Sequence, residues 1–244
     1  MLAFDTSGAV FTLALVEIGP SGHRCLITRT GDGISSHSAK LPPLVQQVLL
    51  DANLRPKSLD LIACGTGPGS FTGLRTSLSM AKGLALGLGR PVVGVDSLTV
   101  LASSAGDCQY VAPVIDARHR EVFTRLFRHN PNLTEPEPLT DIIVASPEKI
   151  SDIFLPLVPA HSRVCLTGPA VDLVGPLLAP FEVYQTEPPS SETLAKLAYG
   201  RYLAGDYPLN LGPPIYIRSP DIFKTWTPPA RLAKETGGGG IDKA

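Results

Sequence analysis

The sequence predicts an α/β protein made of two related halves, and three patterns carry that expectation. The apolar run 59–64 reads as a buried strand and passes through a glycine-rich turn into a helix over 73–88. The chain begins with strands at 2–5, 10–16 and 25–27, separated by short links, which suggests an antiparallel meander opening a mixed sheet. At Tyr110 the pattern restarts. The run 111–115 ends in Asp116 as 2–4 ends in Asp5, and Val122-Phe123-Thr124 follows the second acid much as Val10-Phe11-Thr12 follows the first. Both copies read as strand, acid, turn, returning strand.

The remaining elements fit between these. Residues 35–52 read as a helix with an apolar stripe of Leu44, Val45, Val48 and Leu49, and with Pro42 and Pro43 in its first turn or bending it. A short strand at 91–95 and a short helix at 97–104 follow the central unit. Beyond the repeat, 130–138 is a proline-rich, acidic surface connection, and 164–168 and 182–184 look like strands. Ser190 or Ser191 caps a helix carrying Leu194, Leu197, Ala198 and Tyr202. Residues 213–218 are extended by their prolines, and the tail from 227, with four consecutive glycines, is expected to be disordered. The domains expected are 1–108, 109–226 and a tail at 227–244.

The turn between strand and central helix holds Gly67-Pro68-Gly69-Ser70. Gly67-x-Gly69-x-x-x-Gly73 is one residue longer than the dinucleotide fingerprint, and the turn lacks the Lys of a Walker loop. A structural turn, capped by Ser70 or Thr72, is the better reading than a tight nucleotide site. The helix after it carries only Arg75 and Lys82 as charges. Gly73, Ser77, Ala81 and Ala85 recur every fourth place and make a shallow groove, beside a ridge of Leu74, Leu78 and Leu86. Such a groove admits a second helix, from this chain or from another protein; the row alone does not separate the two. Arg75 and Lys82 suit either an anionic phosphate group or an ion pair with a partner.

Composition narrows the classes further. A net charge of −1 provides no basic field to hold nucleic acid unaided. The five histidines never fall in a His-x-x-x-His spacing, so a helical two-histidine metal site is absent. Cys25, Cys64, Cys108 and Cys165 lie far apart and form no Cys-x-x-Cys pair, and three of them, in or beside apolar strand-like runs, read as free thiols acting as small hydrophobes. With no signal peptide pattern and no long apolar run, a soluble, reduced, cytoplasmic protein is expected, with no membrane contact.

Several blocks together resemble the TsaB (YeaZ) family over residues 2–218. They are Asp5-Thr6-Ser7, Gly67-Pro68-Gly69-Ser70-Phe71-Thr72-Gly73-Leu74-Arg75, Pro91 to Val95, Asp116-Ala117-Arg118 with Glu121-Val122, and Ile215-Tyr216-Ile217-Arg218. The resemblance implies an actin-like, Hsp70-like (ASKHA) duplicated fold with mixed sheets, the second half reduced. It also implies a part in making N6-threonylcarbamoyladenosine on tRNA. In that pathway the paralogue TsaD binds a metal and transfers the group, TsaB pairs with TsaD, and the ATPase TsaE joins them.

TsaD-type proteins carry two metal-binding histidines four apart on the helix after the strand matching 92–95. Here those positions align with Ser97 and Leu101, neither of which ligates as imidazole does. The expectation is therefore a non-catalytic scaffold with no catalytic, metal or cofactor-binding residue of its own, a nucleotide being compatible with the interface of the complex. The partner surface expected is Leu44, Val48, Gly73, Leu74, Ser77, Leu78, Ala81, Lys82 and Ala85, meeting TsaD or a second copy of the chain in isolation. Ala81→Arg would then leave the monomer folded and abolish pairing. The rival is an actin-fold nucleotide hydrolase or sugar kinase using Asp5 and Asp116, for which Thr167-Gly168-Pro169 is the one candidate phosphate turn in the second half.

Overall fold

The computed structural model describes residues 1–19, 22–32, 37–106, 108–130, 133–174, 181–185, 187–207, 211 and 215. Its first sheet contains β1 (Leu2–Asp5), β2 (Val10–Gly19), β3 (Gly22–Asp32), β4 (Ile62–Gly65) and β5 (Val92–Val95) in the order β3-β2-β1-β4-β5. The β1–β2 and β2–β3 pairs are antiparallel; β1–β4 and β4–β5 are parallel. The second sheet is built on β6 (Tyr110–Arg118), β7 (Glu121–Thr124), β10 (Ile143–Ala145), β11 (Val164–Thr167) and β12 (Glu182–Gln185), with the two-residue strands β8 (Phe127–Arg128), paired to the start of β6, and β9 (Glu137–Pro138), paired to β8, off its main path. Its main order is β10-β7-β6-β11-β12, with β6–β7 and β7–β10 antiparallel and β6–β11 and β11–β12 parallel. Numbered within each half, both sheets run 3-2-1-4-5 with the same directions. The echo between Asp5 and Asp116 is thus a duplication of the whole sheet.

Alternation along the strands gives each sheet two apolar faces, and helices cover all four. Leu2, Phe4, Leu13 and Leu15 cluster with α1 (His37–Asp51) and α2 (Phe71–Leu88) through Leu41, Val45, Leu78 and Ala81. On the opposite face Ala3, Ala14 and Ala63 meet Leu194, Ala195 and Ala198 of α6 (Ser191–Ala204), where small side chains on both surfaces allow close approach. In the second sheet Val111, Ile115 and Phe123 meet Leu98, Leu101 and Ala102 of α3 (Ser97–Ser103). Its outer face, with Ala112, Val114 and Val122, meets α4 (Pro147–Phe154) and α5 (Val171–Val174). The result is five layers, with α3 and α6 in the middle.

This layering runs across position 108, where the expected domains meet. Helix α6 lies at 191–204 in sequence but packs on the first sheet, and α3 lies before the boundary but contributes to the second core. The physical reason is that each sheet's inner face needs an apolar cover, and the chain supplies it by crossing over. Leu211 also packs into the first half, and the Ile215 amide donates to the Thr66 carbonyl at 3.1 Å. Tyr216 and Arg218 and the tail 227–244 lie outside the described residues, as does most of 213–218. The two prolines of α1 fall inside it, past its first turn.

Reduced cysteines were expected, and that is corrected for two of them. Cys108 and Cys165 form a disulfide with a Cα–Cα distance of 6.2 Å, while Cys25 and Cys64 are free. Separation by 57 residues hides the pair in the sequence. The parallel register of β6 on β11, which sets Val111 opposite Cys165, brings them together.

Candidate functional site

The residues of the family motif converge on one buried carboxylate. Asp5 ends β1 and is 3% exposed. Its Oδ1 accepts the Ser7 amide at 2.7 Å, closing the turn into β2, and its Oδ2 accepts the Ser97 hydroxyl at 2.7 Å. Ser7 and Ser97 join their hydroxyls at 3.0 Å. Ser97 opens α3, and its own amide donates to the Gly67 carbonyl at 2.7 Å. Cys64, in the neighbouring strand, is fully buried; desolvation first, and then the Asp5 charge, push its thiol up, so it stays protonated and inert.

The glycine turn closes over this knot from the other side. The Ser70 amide donates to the Ser7 carbonyl at 2.7 Å, and Thr6 donates its hydroxyl to the Gly73 carbonyl at 2.6 Å. A Cβ at Gly69 would overlap the Ser7 carbonyl, one at Gly73 the Thr6 carbonyl, and one at Gly65 the Asp5 carboxylate. Gly69 and Gly73 are therefore required by close approach of backbone to backbone, and Gly65 by the approach of the Asp5 carboxylate. Ser70 caps α2 by accepting the Gly73 amide, so of the two candidate caps Ser70 acts.

The second half repeats the first turn in an open setting. Asp116 Oδ1 accepts the Arg118 amide at 2.7 Å, the same contact over the same spacing, but the carboxylate is exposed and lies 3.5 Å from the Arg118 guanidinium. Arg118, His119 and Arg120 all adopt positive φ at the hairpin tip. At the candidate phosphate turn Thr167-Gly168-Pro169 a Cβ at Gly168 would sit 2.6 Å from the Val114 carbonyl oxygen, which accepts the Ala170 amide at 3.3 Å. Between the halves a cleft of about 450 Å³ is lined by hydroxyls including Thr12, Ser104 and Ser190. These are engaged within the chain: Thr12 donates to the Pro189 carbonyl, Ser104 to the Val100 carbonyl, and Ser190 accepts the Thr193 amide.

Helix α2 separates into two faces, and the separation revises the expected partner surface. Gly73, Leu74, Ser77, Leu78, Ala81 and Ala85 are buried within the chain's own core, as is Val48 of α1; Leu44 is half-buried and Lys82 exposed. The small-residue groove is occupied by this chain's own sheet and turn, because only small side chains let α2 lie so close to Thr6 and Ser7. Ala81→Arg would drive a guanidinium into that core and is not a surface substitution. The outward face carries a second small row, Ser79, Gly83 and Gly87, with Thr72, Arg75, Lys82 and Leu86, the last 87% exposed. Arg75 stacks its guanidinium 5.2 Å from the Phe71 ring centroid. A groove of about 450 Å³ lies between Phe71, Thr72, Arg75, Thr76 and Ser79 on the first half of α2 and Pro42 of α1. The outer row was equally visible as an i, i+4 repeat. The role of Ser97 in closing Asp5 was not, since 92 residues separate them.

Three comparisons bear on this geometry. The family model described as TsaD, tRNA N6-adenosine threonylcarbamoyltransferase, matches residues 26–175. The Haemophilus influenzae tRNA threonylcarbamoyladenosine biosynthesis protein TsaB is 35% identical over 127 residues, 50% of this chain and 51% of that protein. The Escherichia coli TsaB is 33% identical over 136 residues, 54% and 56% of the two. The chain thus spans about half the length of the curated relatives it matches. Among solved structures, YeaZ from Pseudomonas aeruginosa superposes with a TM-score of 0.74 at 29% identity, covering 88% of this chain and 98% of that one. That likeness shows the actin-like duplicated fold.

Proposed function

We propose, because the chain belongs to the tRNA N6-adenosine threonylcarbamoyltransferase (TsaD) family and is within it of the TsaB (YeaZ) type, that it serves threonylcarbamoyladenosine formation on tRNA as a non-catalytic subunit. The observation that carries the reading is the Ser97 hydroxyl closing Asp5. In TsaD-type proteins the position aligned with Ser97 holds a metal-binding histidine. Here a fully buried hydroxyl stands there, bound to the carboxylate it covers. Leu101, aligned with the second histidine, lies in the apolar core between α3 and the second sheet. A hydroxyl and an isobutyl group do not replace two imidazoles. Among the described residues no three His, Cys, Asp or Glu side chains come together. Group transfer then falls to a TsaD-type partner, with TsaE supplying the ATPase and tRNA reached through the complex.

The surface best shaped for that partner is the outer face of α2 with the exposed side of α1. Gly83 and Gly87 have open space beyond them and Leu86 projects into solvent, so an incoming helix meets backbone and one apolar knob. A stable contact of ordinary size covers about 800 Å² per partner. In isolation the same face serves a second copy of this chain. No described helix is long and apolar enough to cross a membrane.

The test is reconstitution from the purified chain, TsaD, TsaE, ATP, threonine, bicarbonate, the enzyme that makes the threonylcarbamoyl adenylate, and tRNA. Modified adenosine is expected only when the chain is present. Gly83→Arg is expected to melt like wild type yet lose both co-purification with TsaD and product. Undiminished pairing by Gly83→Arg would remove this face from the contact, and product formed without TsaD would overturn the non-catalytic reading.

A further inference from the structure

We propose that the Cys108–Cys165 disulfide is a redox-controlled staple that holds α3 and the connection following it on the second sheet. Both cysteines belong to the apolar cluster that α3 forms with β6, β7 and β11. The same connection is tied by two contacts to His129, whose amide donates to the Gln109 carbonyl and whose Nε2 lies 2.8 Å from the Ala102 carbonyl oxygen. At its other end α3 begins with Ser97, which closes Asp5 in the first half. The helix is therefore pinned to the first half by hydrogen bonds, and the covalent bond fastens to β11 the connection that leads from the helix into the second sheet. Opening that bond loosens the joint between the halves while leaving each sheet paired.

The sulfurs are sheltered, while Gly106 and Gln109, close to Cys108 in the chain, are exposed. Oxidation breaks two S–H bonds and forms one S–S bond. Two electrons and two protons pass to a small-molecule disulfide such as oxidised glutathione, which leaves as two thiols. A dithiol reverses the exchange and is itself left as a cyclic disulfide. Cys25 and Cys64 take no part and remain thiols in both states.

Thiol titration and thermal melting of the full chain test this. After treatment with oxidised glutathione, then removal of it and reduction of mixed disulfides at Cys25 by brief, mild thiol, the denatured chain should titrate two of its four cysteines, and all four after full reduction. Closing a loop of this length restricts the unfolded chain, so full reduction should lower the melting temperature by about 5–10 °C. It should also raise hydrogen exchange across 97–109. Cys108→Ser and Cys165→Ser should melt near the reduced wild type and ignore reductant, while Cys25→Ser keeps the response. Four titratable thiols after the oxidising treatment, or a melting temperature indifferent to reduction, would overturn the staple. Unchanged exchange over 97–109 would overturn its action on α3. Should either serine variant fail to fold, the wild-type thiol count and melt decide alone.

Discussion

Asp5 sits inside the protein with one carboxylate oxygen held by a backbone amide and the other by a hydroxyl from 92 residues away. A buried carboxylate is tolerated only where such donors replace water. Removing the hydroxyl leaves Oδ2 facing a space too confined for a full hydration shell, since the Gly65 backbone lies against it. Ser97→Ala is therefore expected to lower stability by about 1.5–3 kcal/mol, the usual loss for a hydrogen bond to a charged group. Urea unfolding followed by circular dichroism measures it, and an unmoved midpoint would show that Ser97 does not hold the acid. Asp116 makes the same local turn in solvent, with its own Arg118 as counter-charge, and has no comparable dependence on a distant residue. One ancestral turn has thus become a structural knot in one half and an exposed hairpin tip in the other.

Helix α2 is fixed at both ends, by Ser70 accepting the Gly73 amide and by Gly89 in the left-handed region at φ 62°, where its amide caps the last carbonyls. Between these ends Gly83 is a cost to the helix that no intramolecular contact requires, because a Cβ there meets nothing within 4 Å. Gly83→Ala should raise the stability of the isolated chain by about 0.5–1 kcal/mol. The same change should weaken pairing if a partner helix approaches that backbone. A stabilised monomer with tighter pairing would contradict the close approach. This helix also shows how far the sequence could be read. Strands β1 to β7, β11 and β12, helices α1 to α3 and α6, the Ser70 cap and the repeat at Asp116 were legible because periodicity and turn chemistry are local. Which row of small residues faces inward was not, since Gly73-Ser77-Ala81-Ala85 and Ser79-Gly83-Gly87 have the same spacing; contact with the β1–β2 turn decides it. The short strands β8 to β10, the Cys108–Cys165 bond and the crossing of α6 depend on pairings across many residues, for which a single chain carries no local sign.

At the scale of the molecule, the two halves are held together by helices that have changed sides, and one ion pair marks the join. Arg201 of α6 donates from Nε and Nη2 to the two Glu135 oxygens at 2.7 Å each, and from Nη1 to the Gly94 carbonyl of β5 at 2.9 Å. Glu135 belongs to the connection between β8 and β9, so a residue packed on the first sheet grips the edge of the second. Both side chains are about three-quarters buried, at 24% and 25% exposure, and the forked geometry is the strong form of a carboxylate pair. Losing one partner leaves the other charge in a half-dry site, and the carbonyl of Gly94 loses its donor when the arginine goes. Arg201→Ala is accordingly expected to cost about 2 kcal/mol, a fall of about 4–8 °C in melting temperature for a chain of this size. A double-mutant cycle with Glu135→Ala separates the latch from simple loss of packing, because residues in one bonded network do not add. A coupling of about 1 kcal/mol or more supports a latch that joins the halves. Additive single effects would mean that Arg201 acts through Gly94 alone and that the halves are held by the α3 and α6 cores without it.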